Sequence, residues 1–173
     1  MTNGELVILA GAMGWAARLS WQDCRTRLLP NAWTLGGAAV ALVFRIGYGG
    51  WPLFLDGFAA AAVAGGFLLL PFLMRGAGGG DVKMLFAAGA VVGWARLFTL
   101  LWATSLAGVA MAVGMLLLGR LEGARLRHAL RCAFDWRYDR QAGAAALPPK
   151  DAARYRVPFS LPIAVGLLVA LVW

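Results

Sequence analysis

The sequence predicts an all-α membrane protein, a polytopic bundle of about six transmembrane helices in a single domain over residues 1–173. Hydrophobic residues make up 61% of the chain and its mean hydropathy is +0.73, against roughly 45 to 50% apolar residues in soluble domains. Apolar runs recur at lengths close to the ~20 residues that a membrane-crossing helix needs. The basic residues gather in alternate gaps between those runs, the pattern of a chain that crosses a bilayer back and forth. Most of the apolar surface is therefore expected to face lipid or neighbouring helices.

The first run, at about 6 to 22, follows "MTNGE", which carries an acid and no base. The apolar stretch before the small residues Ala10, Gly11 and Ala12 is too short for the core of a signal peptide, so this run reads as a retained first helix. The second and third runs lie at about 32 to 50 and 53 to 74. The fourth, at about 82 to 95, is the shortest. A re-entrant segment there would invert the next helix and put nine bases on the outside, so a true span is expected. Its Gly89 and Gly93 form a small-xxx-small pattern that would let a neighbouring backbone come close, although small residues abound in any membrane helix. The fifth run spans about 97 to 119 and the last about 158 to 172. Between them, residues 120–157 form a long basic loop, helical in its first half and broken at "LPP".

Orientation follows from the bases. Arg18, Arg25 and Arg27 lie between the first two runs, Arg75 and Lys83 between the third and fourth, and nine more in residues 120–157, so 14 of 16 fall on one side. The positive-inside rule makes that side cytoplasmic and puts both termini outside. Only Arg45 and Arg96 fall on the other side, with Arg45 expected to snorkel to the interface. Anionic headgroups and topology account for the net charge of +8, so no nucleic-acid partner is expected. Cys24 and Cys132 form no CxxC pair, and the single histidine, His128, sits in the basic loop where it reads as a solvated residue. Neither a metal nor a cofactor is expected.

The acids carry more information. Glu5 and Asp56 belong to the outer side, and Glu122, Asp135, Asp139 and Asp151 intermingle with bases in the loop; all six read as solvated or ion-paired. Asp23 and Asp81 differ, because each stands at the cytoplasmic edge of an apolar helix. One such acid is readily explained by snorkelling or by a partner such as Arg25 or Lys83. Two on one side suggest a carboxylate pair, in which one group keeps its proton while the other is charged, so that the pair supplies a base and an acid together. The glycines of "GAGGGD" would take positive φ and let an extended chain approach Asp81, although a flexible linker has the same composition. Lys83 would either hold that neighbourhood electropositive or anchor the helix.

At this point a family likeness emerges. "DCRTRLLPN", residues 23–31, and "GGGDVK", residues 78–83, together with "RVPFSLPIAVG", residues 156–166, resemble the bacterial type IV prepilin peptidases, aspartic proteases of the GxGD class. The resemblance covers essentially the whole chain. It implies that Asp23 and Asp81 are the catalytic aspartates, that Gly78, Gly80 and Lys83 belong to the GxGDxK motif, and that Pro30 and Asn31 form the turn starting the second helix. A preset φ and a cap at that helix start agree with this. It further implies prepilin or pseudopilin substrates cut on the cytoplasmic side of the inner membrane, with the lipid bilayer and pilus or secretion machinery as partners. The N-terminal domain with two CxxC pairs that accompanies methyl transfer in larger members is missing from this sequence, which resembles the short forms serving Flp-type tight-adherence pili.

Two other classes compete. A proton-coupled transporter would carry its acids near the bilayer midplane, whereas these lie at one edge; a noncatalytic assembly factor of a secretion system is excluded by nothing in the composition.

Overall fold

The computed structural model describes residues 3–26, 28–73, 77–118 and 159–173. The basic loop expected at 120–157, with His128 and Cys132, lies outside the described residues, as do Arg27 and Arg75. Every described element is helical: α1 (Asn3–Thr26), α2 (Asn31–Leu73), α3 (Gly79–Val92), α4 (Trp94–Leu117) and α5 (Ser160–Val172). Two of them, α2 and α4, are long and apolar enough to cross a membrane, and α5 is apolar but shorter.

The long α2 is two helical arms joined at a break. Gly49 and Gly50 leave the helical region, and Gly50 has φ 68°, a conformation that costs little only without a Cβ. Pro52 follows directly. Its missing N–H and fixed φ suit the first turn of the second arm, where the backbone donor would have no partner. The break therefore falls where the gap between the second and third apolar runs predicts it.

A second break separates α3 from α4. Gly93 has φ 73°, and its N–H closes α3 on Gly89 O at 2.9 Å. At ~1.5 Å per residue the 14 residues of α3 reach about 21 Å, short of the ~30 Å hydrocarbon layer.

Packing rests on small residues. A Cβ on Gly89 would come within 2.8 Å of Ala60 O and of Ala64 Cβ, so α3 lies directly against the second arm of α2. Of the two glycines in "GAVVG", Gly89 thus serves the close approach, whereas Gly93 serves the chain break. On the other side of the molecule Gly166 of α5 meets Leu100 and Thr104 of α4, and Gly37 of α2 leaves room for the indole of Trp15 in α1. That indole donates to Trp33 O at 2.8 Å.

These contacts converge on one core. Ala16 and Leu19 of α1, Ala60, Ala64 and Leu68 of α2, Met84, Leu85 and Ala88 of α3, Leu97 and Leu100 of α4, and Ile163 and Leu167 of α5 form a single buried cluster. The exterior is apolar too: Val40, Val43, Phe98, Trp102 and Val109 are all exposed.

The helices alternate in direction. Arg45, at the far end of the first arm of α2, reaches the last turn of α3, while Phe72 at the end of the second arm meets Gly79 at the start of α3. Arg96 of α4 reaches Leu171 O at the end of α5, and a cleft at this same end is lined by Ile8, Val92, Arg96 and Leu171.

At that end Arg45 does not snorkel to an interface. Its Nε donates to Ala90 O at 2.7 Å, Nη2 to Val91 O at 3.2 Å, and Nη1 to Asp56 Oδ2 at 2.9 Å. The side chain is only 13% exposed. Asp56 Oδ2 also accepts from Trp94 N at 3.2 Å. The terminal carbonyls of α3 and the first N–H of α4 have no partners within their own helices, and this ion pair supplies them.

Candidate active site

Three helix termini lie at the opposite end, and a side-chain hydrogen bond there joins α1 to α5. Asp23 stands in the last turn of α1, Asp81 in the first turn of α3, and Ser160 begins α5. Asp23 follows Leu19 by about one turn, Asp81 precedes Met84 and Leu85 by about one turn, and Ser160 precedes Ile163 by about one turn. Since Leu19, Met84, Leu85 and Ile163 share one buried cluster, the three polar residues occupy the same end of a common apolar floor. Asp23 and Asp81 are each 7% exposed, and Ser160 is fully buried.

Each acid is held by a donor. Ser160 Oγ donates to Asp23 Oδ2 at 2.6 Å. Gly78 N donates to Asp81 Oδ2 at 3.0 Å, so Asp81 reaches back from the third helical position to the residue that caps its own helix. A carboxylate there also lies at the positive end of the helix dipole. Both arrangements give a buried carboxyl oxygen a hydrogen-bond partner, without which its burial would be costly.

The glycines act differently from the expectation. Gly78 has φ −83° and ψ 147°, an extended conformation open to any residue, and among the described residues positive φ occurs at Gly50 and Gly93. What the motif glycines supply is room. A Cβ on Gly78 would stand 3.0 Å from Asp81 Oδ2, and one on Gly80 would stand 2.8 Å from Leu29 Cβ. Gly80 thus lets the start of α3 rest on the residues that lead into α2.

Pro30 and Asn31 lie beside that contact. Pro30 O accepts from Trp33 N at 3.1 Å and from Thr34 N at 3.2 Å, which starts α2 at Asn31. Asn31 does not cap its own helix. Its Oδ1 accepts from Lys83 Nζ at 2.7 Å, a cross-link between the start of α2 and the first turn of α3. The lysine of the motif is thereby directed to the asparagine 52 positions earlier.

Two residues at this end carry no sequence signal of their own. Ser160 is a small hydroxyl within "PFSLP", and only its place at the head of an apolar run hints at a role. Ser20, one turn before Asp23, is buried, and its hydroxyl has no partner among the described residues. No group of three or more His, Cys, Asp or Glu side chains among the described residues is arranged to hold a metal ion.

Arg18 and Arg25, at this same end of α1, stack on Trp33 and Trp21, with the guanidinium carbons 5.8 and 4.5 Å from the ring centres. Such pairs of base and indole are favourable where a helix meets a polar boundary.

Among the curated proteins and among the solved structures, none matches the chain significantly. A family model does: that of the type IV leader peptidase family matches residues 10–113, more than half of the 173. The matched stretch runs from α1 through most of α4 and contains Asp23, Pro30, Asn31 and the whole of "GAGGGDVK". The protein is therefore a peptidase and belongs to the type IV leader peptidase family.

Proposed function

We propose that this chain is a membrane aspartic endopeptidase, one transmembrane domain, that removes the leader from type IV prepilins or pseudopilins at the cytoplasmic face of the bacterial inner membrane. Asp23 and Asp81 are its catalytic pair. The observation that carries the reading is the burial of these two acids at the same end of one apolar core, each in a terminal helical turn and each held by a hydrogen-bond donor.

Chemistry follows from the pair. Two carboxyl groups that share a site do not both ionise readily, so together they hold one proton. The ionised group takes a proton from water as the water oxygen attacks the scissile carbonyl carbon. The protonated group gives its proton to the carbonyl oxygen, forming a tetrahedral diol. Collapse of the diol breaks the C–N bond: the proton taken from water passes to the leaving amine nitrogen, and one diol hydroxyl returns its proton to the other carboxylate, which leaves the acid product. The pair ends with one proton, as it began, and no metal is required.

Topology supports the cytoplasmic assignment. Arg18, Arg25 and Lys83 share the end that carries the acids, and the positive-inside rule turns such an end to the cytoplasm. Exposed valines, phenylalanines and tryptophans on the flanks of the helices suit lipid contact in a six-span bundle. A prepilin presents its leader junction where its own apolar helix leaves the membrane, at the level of the acids. With no CxxC pair in the sequence, the reading does not extend to methyl transfer.

The test is processing. A Flp-type prepilin is co-expressed with the wild-type chain, with Asp23→Asn or with Asp81→Asn, and the shortened pilin is followed by mass. Shortening with wild type and neither variant is expected. Processing that survives both substitutions would contradict the proposal, as would a transporter phenotype without cleavage.

A further inference from the structure

The geometry points to Ser160 as a positioning residue for Asp23, one whose hydroxyl orients the carboxylate. The inference rests on the catalytic pair proposed above and adds a residue from α5, beyond the stretch matched by the family model.

The bond is short and enclosed. Ser160 Oγ lies 2.6 Å from Asp23 Oδ2, and both residues are buried. That length lies at the short end of the range for hydroxyl donors. In an enclosed site such a bond is not weakened by competing water.

The hydroxyl is also committed to this partner. A serine at a helix start ordinarily satisfies backbone groups of its own helix. Here α5 has no side-chain cap, and the hydroxyl of its first residue turns to a side chain 137 positions earlier. Rigid neighbours complete the arrangement. Both ends of the bond stand directly on the core, Asp23 over Leu19 and Ser160 over Ile163, so neither group swings away without disturbing packed neighbours.

A hydroxyl carries one hydrogen. Donated to Oδ2, it restrains the direction in which the carboxylate faces. Removing the donor leaves the carboxylate free to turn, which slows the chemical step without touching the groups that bind the substrate helix.

The experiment measures kcat and KM separately for a Flp-type prepilin, using membranes that hold the full chain as wild type, Ser160→Ala, Ser160→Cys, Ser160→Thr or Asp23→Asn. Ser160→Ala is expected to lower kcat about tenfold with KM unchanged. Ser160→Cys, a near-isosteric weak donor, is expected to fall between the two and carries the test if the alanine variant does not accumulate. Ser160→Thr, which keeps the hydroxyl, is expected to restore the wild-type kcat. A kcat that stays at the wild-type value in Ser160→Ala and Ser160→Cys, or a loss that Ser160→Thr does not restore, means that the hydroxyl only packs and overturns the inference. If Asp23→Asn is inactive in that case, the catalytic pair stands and only the role of Ser160 falls. If Asp23→Asn still cleaves, the pair itself is wrong and this inference falls with it.

Discussion

At one end of the helices Arg45 and Asp56 hold each other and also hold the termini of α3 and α4; at the other end Asp23 and Asp81, more enclosed than Asp56, accept from a serine hydroxyl and a backbone N–H. The first end binds charge to charge and to backbone groups that would otherwise be unsatisfied, so its groups are committed to the fold. At the second end the Ser160 hydroxyl and the Gly78 N–H each orient a carboxylate. The contrast separates two uses of buried polarity. A clamp needs every donor occupied, whereas a reacting carboxylate needs its direction fixed and its proton movable.

Perturbing the frame shared by both ends should have the largest effect. Gly89→Leu pushes a side chain into Ala60 and Ala64, each of which has an atom 2.8 Å from where the first side-chain carbon would stand, at a cost of about 3 kcal/mol or more. Size-exclusion chromatography in detergent should then show little monodisperse protein, and processing should fail. A stable and active Gly89→Leu would mean that α2 and α3 do not pack as described.

Next comes the clamp alone. Arg45→Met leaves Asp56, Ala90 O and Val91 O without their donor, and should cost about 2 kcal/mol. A lower thermal midpoint with an unchanged acid limb of the pH–rate profile would confirm that this end is structural. Asp56, with its side chain 37% exposed, should matter less when changed to Asn.

A smaller effect on stability, with a larger one on rate, is expected at the site. Gly80→Ala crowds Leu29 and should cost about 1 kcal/mol, yet lower cleavage about tenfold by shifting Asp81 relative to Asp23. Equal losses of stability and rate would weaken the distinction between the ends. The bond from Lys83 to Asn31 is exposed, and a double-mutant cycle with Lys83→Gln and Asn31→Ala should give a coupling of only about 0.5 kcal/mol. No effect at all is expected from EDTA, because the chemistry assigned to the pair uses no metal; loss of cleavage that zinc restores would refute this.

Much of the fold was legible because apolar length and glycine are local signals. The run before "GYGGWP" ends where Gly49 and Gly50 break α2, and Gly89 marks the face on which α3 approaches its neighbour. The clamp was not legible. Arg45 and Asp56 are 11 positions apart across a break, and the carbonyls that Arg45 serves lie 45 and 46 positions away, so no helical period links them. At the site, Asp23 and Asp81 stood out because acids are rare among apolar runs, and the family match includes the motifs that contain them. The roles of the glycines were misread, since conformational freedom and lack of a side chain look identical in sequence. Ser160 escaped notice for a related reason: a serine is common in apolar helices, and only the approach of α5 to α1 gives its hydroxyl a target.

Whether Asp23 and Asp81 act as one unit decides the rest, and it is read from the residual cleavage rates of Asp23→Asn, Asp81→Asn and the double variant on the same prepilin. Groups that act together lose nearly all of their effect when either is removed. Each single substitution should therefore lower the rate by at least about a hundredfold, with the double variant no slower than the singles. A single variant that keeps near-normal processing, or a double variant slower by the product of the two single losses, would contradict a shared role for the two acids.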